Sequence, residues 1–283
     1  MPQTTEKIVH VNGIDLCTET FGNPGDPALL LIMGAMASMD WWPELLCRRL
    51  AGQRRFVIRY DHRDTGRSTP YPLGAPGYDL DDLADDAVGI LDAYGIESAH
   101  LVGMSLGGII AQLIALKHPK RARSLTLIAS QPLAPDDPSI PGIAPEILAF
   151  HARGAELDWA NRDAVLDYQV DSWRLLSGSA RPFDASLIRS MARRDGERTP
   201  DPRTAFNHAL LEGGERWYGR LDEIRVPTLV IHGTDDPVLR FAYGQALARG
   251  ISGARFMPLV GVGHELHPYD WDAIVAAVAR LTS

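Results

Sequence analysis

Continuous, mostly apolar runs recur along the chain at 28–33, 56–60, 101–103, 125–128, 228–231 and 255–258. Short strands apolar on both sides are what a parallel sheet covered by helices requires, because neither face meets water. Between them, residues 42–50, 80–91 and 106–118 place apolar side chains three and four positions apart, with acidic residues early in the second segment. That spacing predicts helices. At the start, 8–11 and 15–20 flank Asn12-Gly13, a dipeptide that supplies the positive φ angles of a tight hairpin turn. A leading hairpin followed by alternating strands and helices predicts an α/β fold with a mostly parallel central sheet flanked by helices.

The alternation stops between 132 and 220. A turn-rich stretch at 131–145 gives way to amphipathic helix patterns at 145–151, 162–176, 185–193 and 204–211, and no strand pattern interrupts them. A structureless loop of that length is improbable, so the segment is expected to be a helical cap inserted between two sheet strands.

Composition narrows the function classes. The chain has 283 residues with 28 basic against 36 acidic side chains, a net charge of −8 that opposes nucleic acid and anionic membrane surfaces as partners. The longest nearly apolar stretch, 101–116, contains Ser105, three glycines and Gln112, and is shorter than the ~20 residues of a membrane span. It reads as core. Two cysteines, Cys17 and Cys47, and a polar stretch at 1–10 where an export signal would be apolar, predict a reducing, cytoplasmic setting. No phosphate-binding or dinucleotide fingerprint is present, so no cofactor is expected. His264-Glu265-Leu266-His267 spaces its histidines three apart rather than the four of a zinc helix, so no metal is expected either.

The sharpest chemical signal is Gly103-Met104-Ser105-Leu106-Gly107, set between an apolar run and a helical one. A serine hydroxyl is a weak nucleophile and must be presented clear of its own backbone beside a base. A strand-to-helix turn does this, and glycines two before and two after the serine leave room for the crowded backbone. The following helix aims its first amides at the same spot, so the backbone N–H of Leu106 is a candidate oxyanion donor. Downstream, the run at 228–232 empties into Gly233-Thr234-Asp235-Asp236-Pro237, and 255–258 is followed by Gly261-Val262-Gly263-His264. Acid at the carboxyl end of a parallel strand is where catalytic groups collect in such sheets. Alone, the aspartates read as a polar turn and His264 as a loop histidine with His267 as its rival. The joint order Ser, Asp, His, each after a strand, points to a nucleophile, an orienting acid and a base.

These residues, with Gly34-Ala35 after the run at 29–33 and Asp61-His62-Arg63-Asp64-Thr65-Gly66-Arg67-Ser68, resemble the α/β-hydrolase superfamily over nearly the whole chain. The resemblance implies a second oxyanion donor at the backbone N–H of Ala35, although Met33 stands where a histidine usually precedes the glycine. It selects Asp236 over Asp235 as triad acid, and it makes 61–68 a brace for the loops near the nucleophile rather than a catalytic element. The segment 59–68, the Met-Gly loop, Trp173-Arg174-Leu175-Leu176-Ser177-Gly178 and Pro182-Phe183-Asp184 look more narrowly like the aclacinomycin methylesterases. That group hydrolyses a carbomethoxy ester on an aromatic polyketide.

The expected activity is therefore serine carboxylic-ester hydrolysis on a bulky hydrophobic small-molecule ester. Carbon–carbon bond hydrolases, lactonases and cofactor-free perhydrolases use the same triad, and a hydrolase-like receptor with little turnover is the rival outside enzymes. Epoxide hydrolases and dehalogenases of this fold need an aspartate at the nucleophile position, and Ser105 argues against both. Met36, Trp159, Trp173, Phe183 and Trp217 are the candidate substrate contacts, since such pockets are largely apolar and aromatic. Any one of the aromatics alone reads more simply as an anchor of the insertion. Ser105 precedes the interruption and Asp236 and His264 follow it, so 1–131 and 221–283 are expected to fold as one catalytic unit with 132–220 inserted over it.

Overall fold

A computed structural model of the chain describes residues 6–135 and 137–283. The polar N-terminal stretch begins at 1–5, outside the described residues, as does Asp136 of the turn-rich segment. The strands β1 (Lys7–Val11) and β2 (Ile14–Phe21) form the expected hairpin, with Asn12 and Gly13 at φ of 50° and 79°. There follow β3 (Ala28–Ile32), α1 (Glu44–Ala51), β4 (Phe56–Tyr60), α2 (Leu80–Ala93), β5 (Ala99–Met104), α3 (Leu106–Lys117) and β6 (Ala122–Ile128). The last third contains β7 (Thr228–Gly233), α7 (Phe241–Gly250), β8 (Arg255–Leu259) and α8 (Trp271–Thr282), after α4 (Pro145–Ala152), α5 (Arg162–Leu176) and α6 (Ala185–Arg198).

The eight strands form one sheet in the order β1-β2-β4-β3-β5-β6-β7-β8, antiparallel as far as the β2–β4 pair and parallel from there on. Alternate side chains of β3 explain why its run is wholly apolar. Leu30 and Ile32 join a cluster with α2, α3 and Leu247 of α7, whereas Leu29 and Leu31 join one with α1 and α8. β8 is an edge strand, half exposed, and it tolerates Pro258 for that reason.

Between β6 and β7 the described residues hold helices and turns but no strand. Leu166 of α5 and Ala192 of α6 pack on the α1–α8 side of the sheet. The segment expected as a helix at 204–211 is instead a 3-10 turn, Pro202–Leu210. The tighter 3-10 winding places residues three apart on one line, and here Thr204 and Asn207 both bond to Asp64 at 3.0 Å. Those tertiary bonds fix the winding.

Candidate active site

Ser105 is the first residue after β5 and the N-cap of α3, with φ 53° and ψ −120°. A non-glycine residue at positive φ is strained. Here the strain is held from both sides, because the Ser105 N–H donates to Ile128 O at 2.9 Å and Ser130 Oγ–H donates to Ser105 O at 2.8 Å. The flanking glycines are needed for close approach rather than flexibility. A Cβ on Gly103 would collide with the Gly107 carbonyl, and one on Gly107 with the Ile32 carbonyl. The segment from Met33 to Met36 lies against this elbow, for a Cβ on Gly34 would stand 3.2 Å from the Cβ of Ser105.

At the end of β7 the two adjacent aspartates part company. Asp236 is buried, with Oδ1 accepting the amides of Val238 at 2.9 Å and Leu239 at 2.8 Å, and Oδ2 lying 2.8 Å from His264 Nδ1. Asp235 accepts instead from Ser179 and from Thr234 Oγ1 at the surface. Burial alone would push the Asp236 carboxyl up, but His264 and His232 beside it hold it well below the usual carboxylate range. His232 was not singled out by sequence. It is fully buried, its Nε2–H donates to Leu239 O at 2.7 Å, and the same nitrogen stands 3.4 Å from Asp236 Oδ2.

His264 is carried by the loop after β8, where its backbone N–H donates to Leu176 O at 2.8 Å. Its neighbour His267 is otherwise engaged, with Nδ1 accepting from Tyr269 N at 3.2 Å and Nε2–H donating to Pro182 O at 3.1 Å. Met104 and Glu265, the chain neighbours of Ser105 and His264, line one cleft of about 570 Å³ including its open mouth, together with Met33. Ser105 and His264 themselves are not part of its lining.

Of the expected substrate contacts, the structure brings two to this cleft. Trp173 stacks on Trp41 with centroids 4.2 Å apart, and Phe183 lies under the Arg174 guanidinium, also at 4.2 Å. Trp159 instead packs edge-on against Tyr168 and Phe206, likewise between β6 and β7, its Nε1–H donating to Gly154 O at 3.0 Å. Trp217 lies with the α2–α3 cluster and directs Nε1–H toward Asp81 at 3.4 Å. Met36 is partly exposed, at φ 62°, beside a smaller hollow with Gln169 and Thr199. Among the described residues no group of three or more His, Cys, Asp or Glu is arranged to hold a metal, and no helix is long and apolar enough to cross a membrane.

Residues 27–270 match the family described as alpha/beta hydrolase fold. The chain is 33% identical to rhodomycin D methylesterase DauP of Streptomyces sp. (strain C5), over 98% of this chain and 97% of that protein. It is equally similar, over the same shares, to rhodomycin D methylesterase DnrP of Streptomyces peucetius. A solved hydrolase from Pseudomonas aeruginosa PA01 superimposes with a TM-score of 0.75 at 25% identity, covering 99% of this chain and 98% of that one. The chain belongs to the α/β-hydrolase family and is a carboxylic-ester hydrolase within it.

Proposed function

We propose that this esterase acts through Ser105 as nucleophile, His264 as base and Asp236 as orienting acid, with the backbone N–H groups of Leu106 and Ala35 receiving the oxyanion. The observation that carries the reading is the 2.8 Å contact from His264 Nδ1 to buried Asp236 Oδ2, in a chain whose Ser105 stands at a positive-φ strand-to-helix elbow. With its Nδ1 proton donated to the carboxylate, the imidazole has its Nε2 lone pair free to take the serine proton. Ser105 Oγ then bonds to the ester carbonyl carbon, the carbonyl electrons move onto oxygen, and the imidazolium returns its proton to the departing alcohol. Water, deprotonated by the same imidazole, then bonds to the acyl carbon, and as the bond to Ser105 Oγ breaks the imidazolium returns its proton to that oxygen and the acid leaves.

Residues 132–220 are proposed as a cap that shapes the acyl pocket. Two relatives are named for rhodomycin D, and the cleft beside the site is lined by Trp41, Trp173, Phe183 and several methionines. A bulky aromatic methyl ester of the polyketide class, losing methanol, fits such a lining. We expect kcat/KM to be higher for extended aromatic methyl esters than for acetate esters, and the reverse preference would remove this substrate class. Ser105→Ala should lower kcat by about 10⁶-fold if the three groups act as a unit. Full activity in that variant, freed of contaminating esterase, would sink the mechanism.

A further inference from the structure

The amide of Ala35 serves the proposed mechanism only if the backbone from Met33 to Met36 holds one shape, and two buried imidazoles grip that segment at its ends. At the start, His62 Nε2–H donates to Met33 O at 3.0 Å. At the far end, the Met36 N–H donates to Nδ1 of His208 at 3.0 Å. The two rings meet edge to face, centroids 5.9 Å apart at 83°. Met36 sits at φ 62°, a region a long side chain seldom occupies unless its surroundings enforce it.

The bonds dictate the tautomer. A backbone N–H can only donate, so His208 Nδ1 carries the lone pair and Nε2 the proton, which goes to Arg63 O at 2.8 Å. Burial pushes both imidazoles below the ordinary histidine range, which keeps them neutral at pH 7. His208 also belongs to the segment between β6 and β7. Its 3-10 turn is pinned to the loop after β4 through Thr204 Oγ1 to Asp64 O and Asn207 Nδ2 to Asp64 Oδ2, each at 3.0 Å.

We propose that His208 is a positioning residue for the oxyanion hole. Its Nδ1 fixes the Met36 amide, and thereby the direction of the Ala35 N–H, so the hole is complete only while the inserted segment is seated. This inference rests on the serine-esterase reading, and the test separates the two. Asparagine at 208 offers Oδ1 where Nδ1 stood and can still accept from Met36, whereas glutamine reaches Arg63 O but not Met36. Each keeps one of the two bonds, so stability alone does not rank them.

The variants His208→Asn, His208→Gln and His208→Ala are assayed with p-nitrophenyl butyrate beside Ser105→Ala, and melting temperature is recorded for each. We expect Gln and Ala to lower kcat by about 10²-fold with KM little changed, as when one oxyanion donor is lost, and Asn to restore most of it. Equal kcat in the Asn and Gln variants, or kcat that simply follows melting temperature, would overturn the role of His208. Turnover surviving in Ser105→Ala would overturn the underlying mechanism instead.

Discussion

Asp236 and Asp235 are adjacent in sequence, chemically identical, and opposite in situation. Burial alone would raise the Asp236 carboxyl, yet the imidazoles of His264 and His232 hold it low, so it remains ionised and its two oxygens are filled by His264 and two backbone amides. A group depressed in the folded state contributes stability above its unfolded value near 3.9, and that contribution is lost as pH falls toward the lower folded one. Asp236→Asn should lower kcat by about 10⁴-fold, because the amide no longer holds the imidazole in the tautomer with Nε2 free. Asp235→Asn should leave kcat near wild type, since the Asp235 carboxylate is exposed and accepts from Ser179 and Thr234 rather than from His264. Equal losses in the two variants would refute the choice. The residue pattern alone places both aspartates after a strand and the choice of Asp236 comes from the family resemblance, because which of them turns inward depends on where the Val238 and Leu239 amides stand. His232 was invisible for a related reason, being one polar residue at the end of the apolar run Leu229-Val230-Ile231.

Helices between β6 and β7 show where periodicity misleads. The apolar pattern of α6 ends near 193, but the helix continues to Arg198. Its last turn is polar, and Asp195 and Arg198 in it are nonetheless buried. Asp195 accepts from Trp41 Nε1 at 2.9 Å, and Arg198 meets Asp61 at 2.8 Å, Asp40 at 3.2 Å and Glu6 at 2.7 Å. Polar side chains that a one-dimensional pattern assigns to solvent here form an ionic seam between α6 and the sheet. Burial would lower the Arg198 guanidinium, but Asp61 and its neighbours raise it above its ordinary value, so it stays charged. Arg198→Met leaves buried carboxylates without their partner and should cost about 3–5 kcal/mol in urea unfolding. Adding Asp61→Asn should recover part of that loss. A single substitution that costs under about 1 kcal/mol would place the seam in the class of weak surface pairs. The place of Trp217 follows the same logic, for it is amphipathic and its position against α2 and α3 depends on where the chain returns to the sheet.

At the scale of the whole molecule, the sheet was legible because two-sided burial leaves continuous apolar runs, whereas buried polar groups leave no such trace. Three of these are imidazoles spread across the core: His62 after β4, His100 on β5 and His208 in the 3-10 turn between β6 and β7. Burial lowers all three, His62 to about 3 and His100 to about 4. In the unfolded chain each titrates near 6.5. As pH falls below that value the unfolded state takes up protons that the folded state refuses, so stability is complete above pH 6.5 and declines beneath it. From pH 7 to 5, His62 alone accounts for about 2 kcal/mol, a large part of a typical stability of about 5–15 kcal/mol. The urea midpoint should therefore be clearly lower at pH 5 than at pH 7 with an unchanged slope. Without urea the near-ultraviolet circular dichroism should be the same at both values, because His62 and His100 are still neutral in the folded chain at pH 5. A midpoint independent of pH across this interval, or a native spectrum that changes along with it, would mean that these histidines already carry protons in the folded chain.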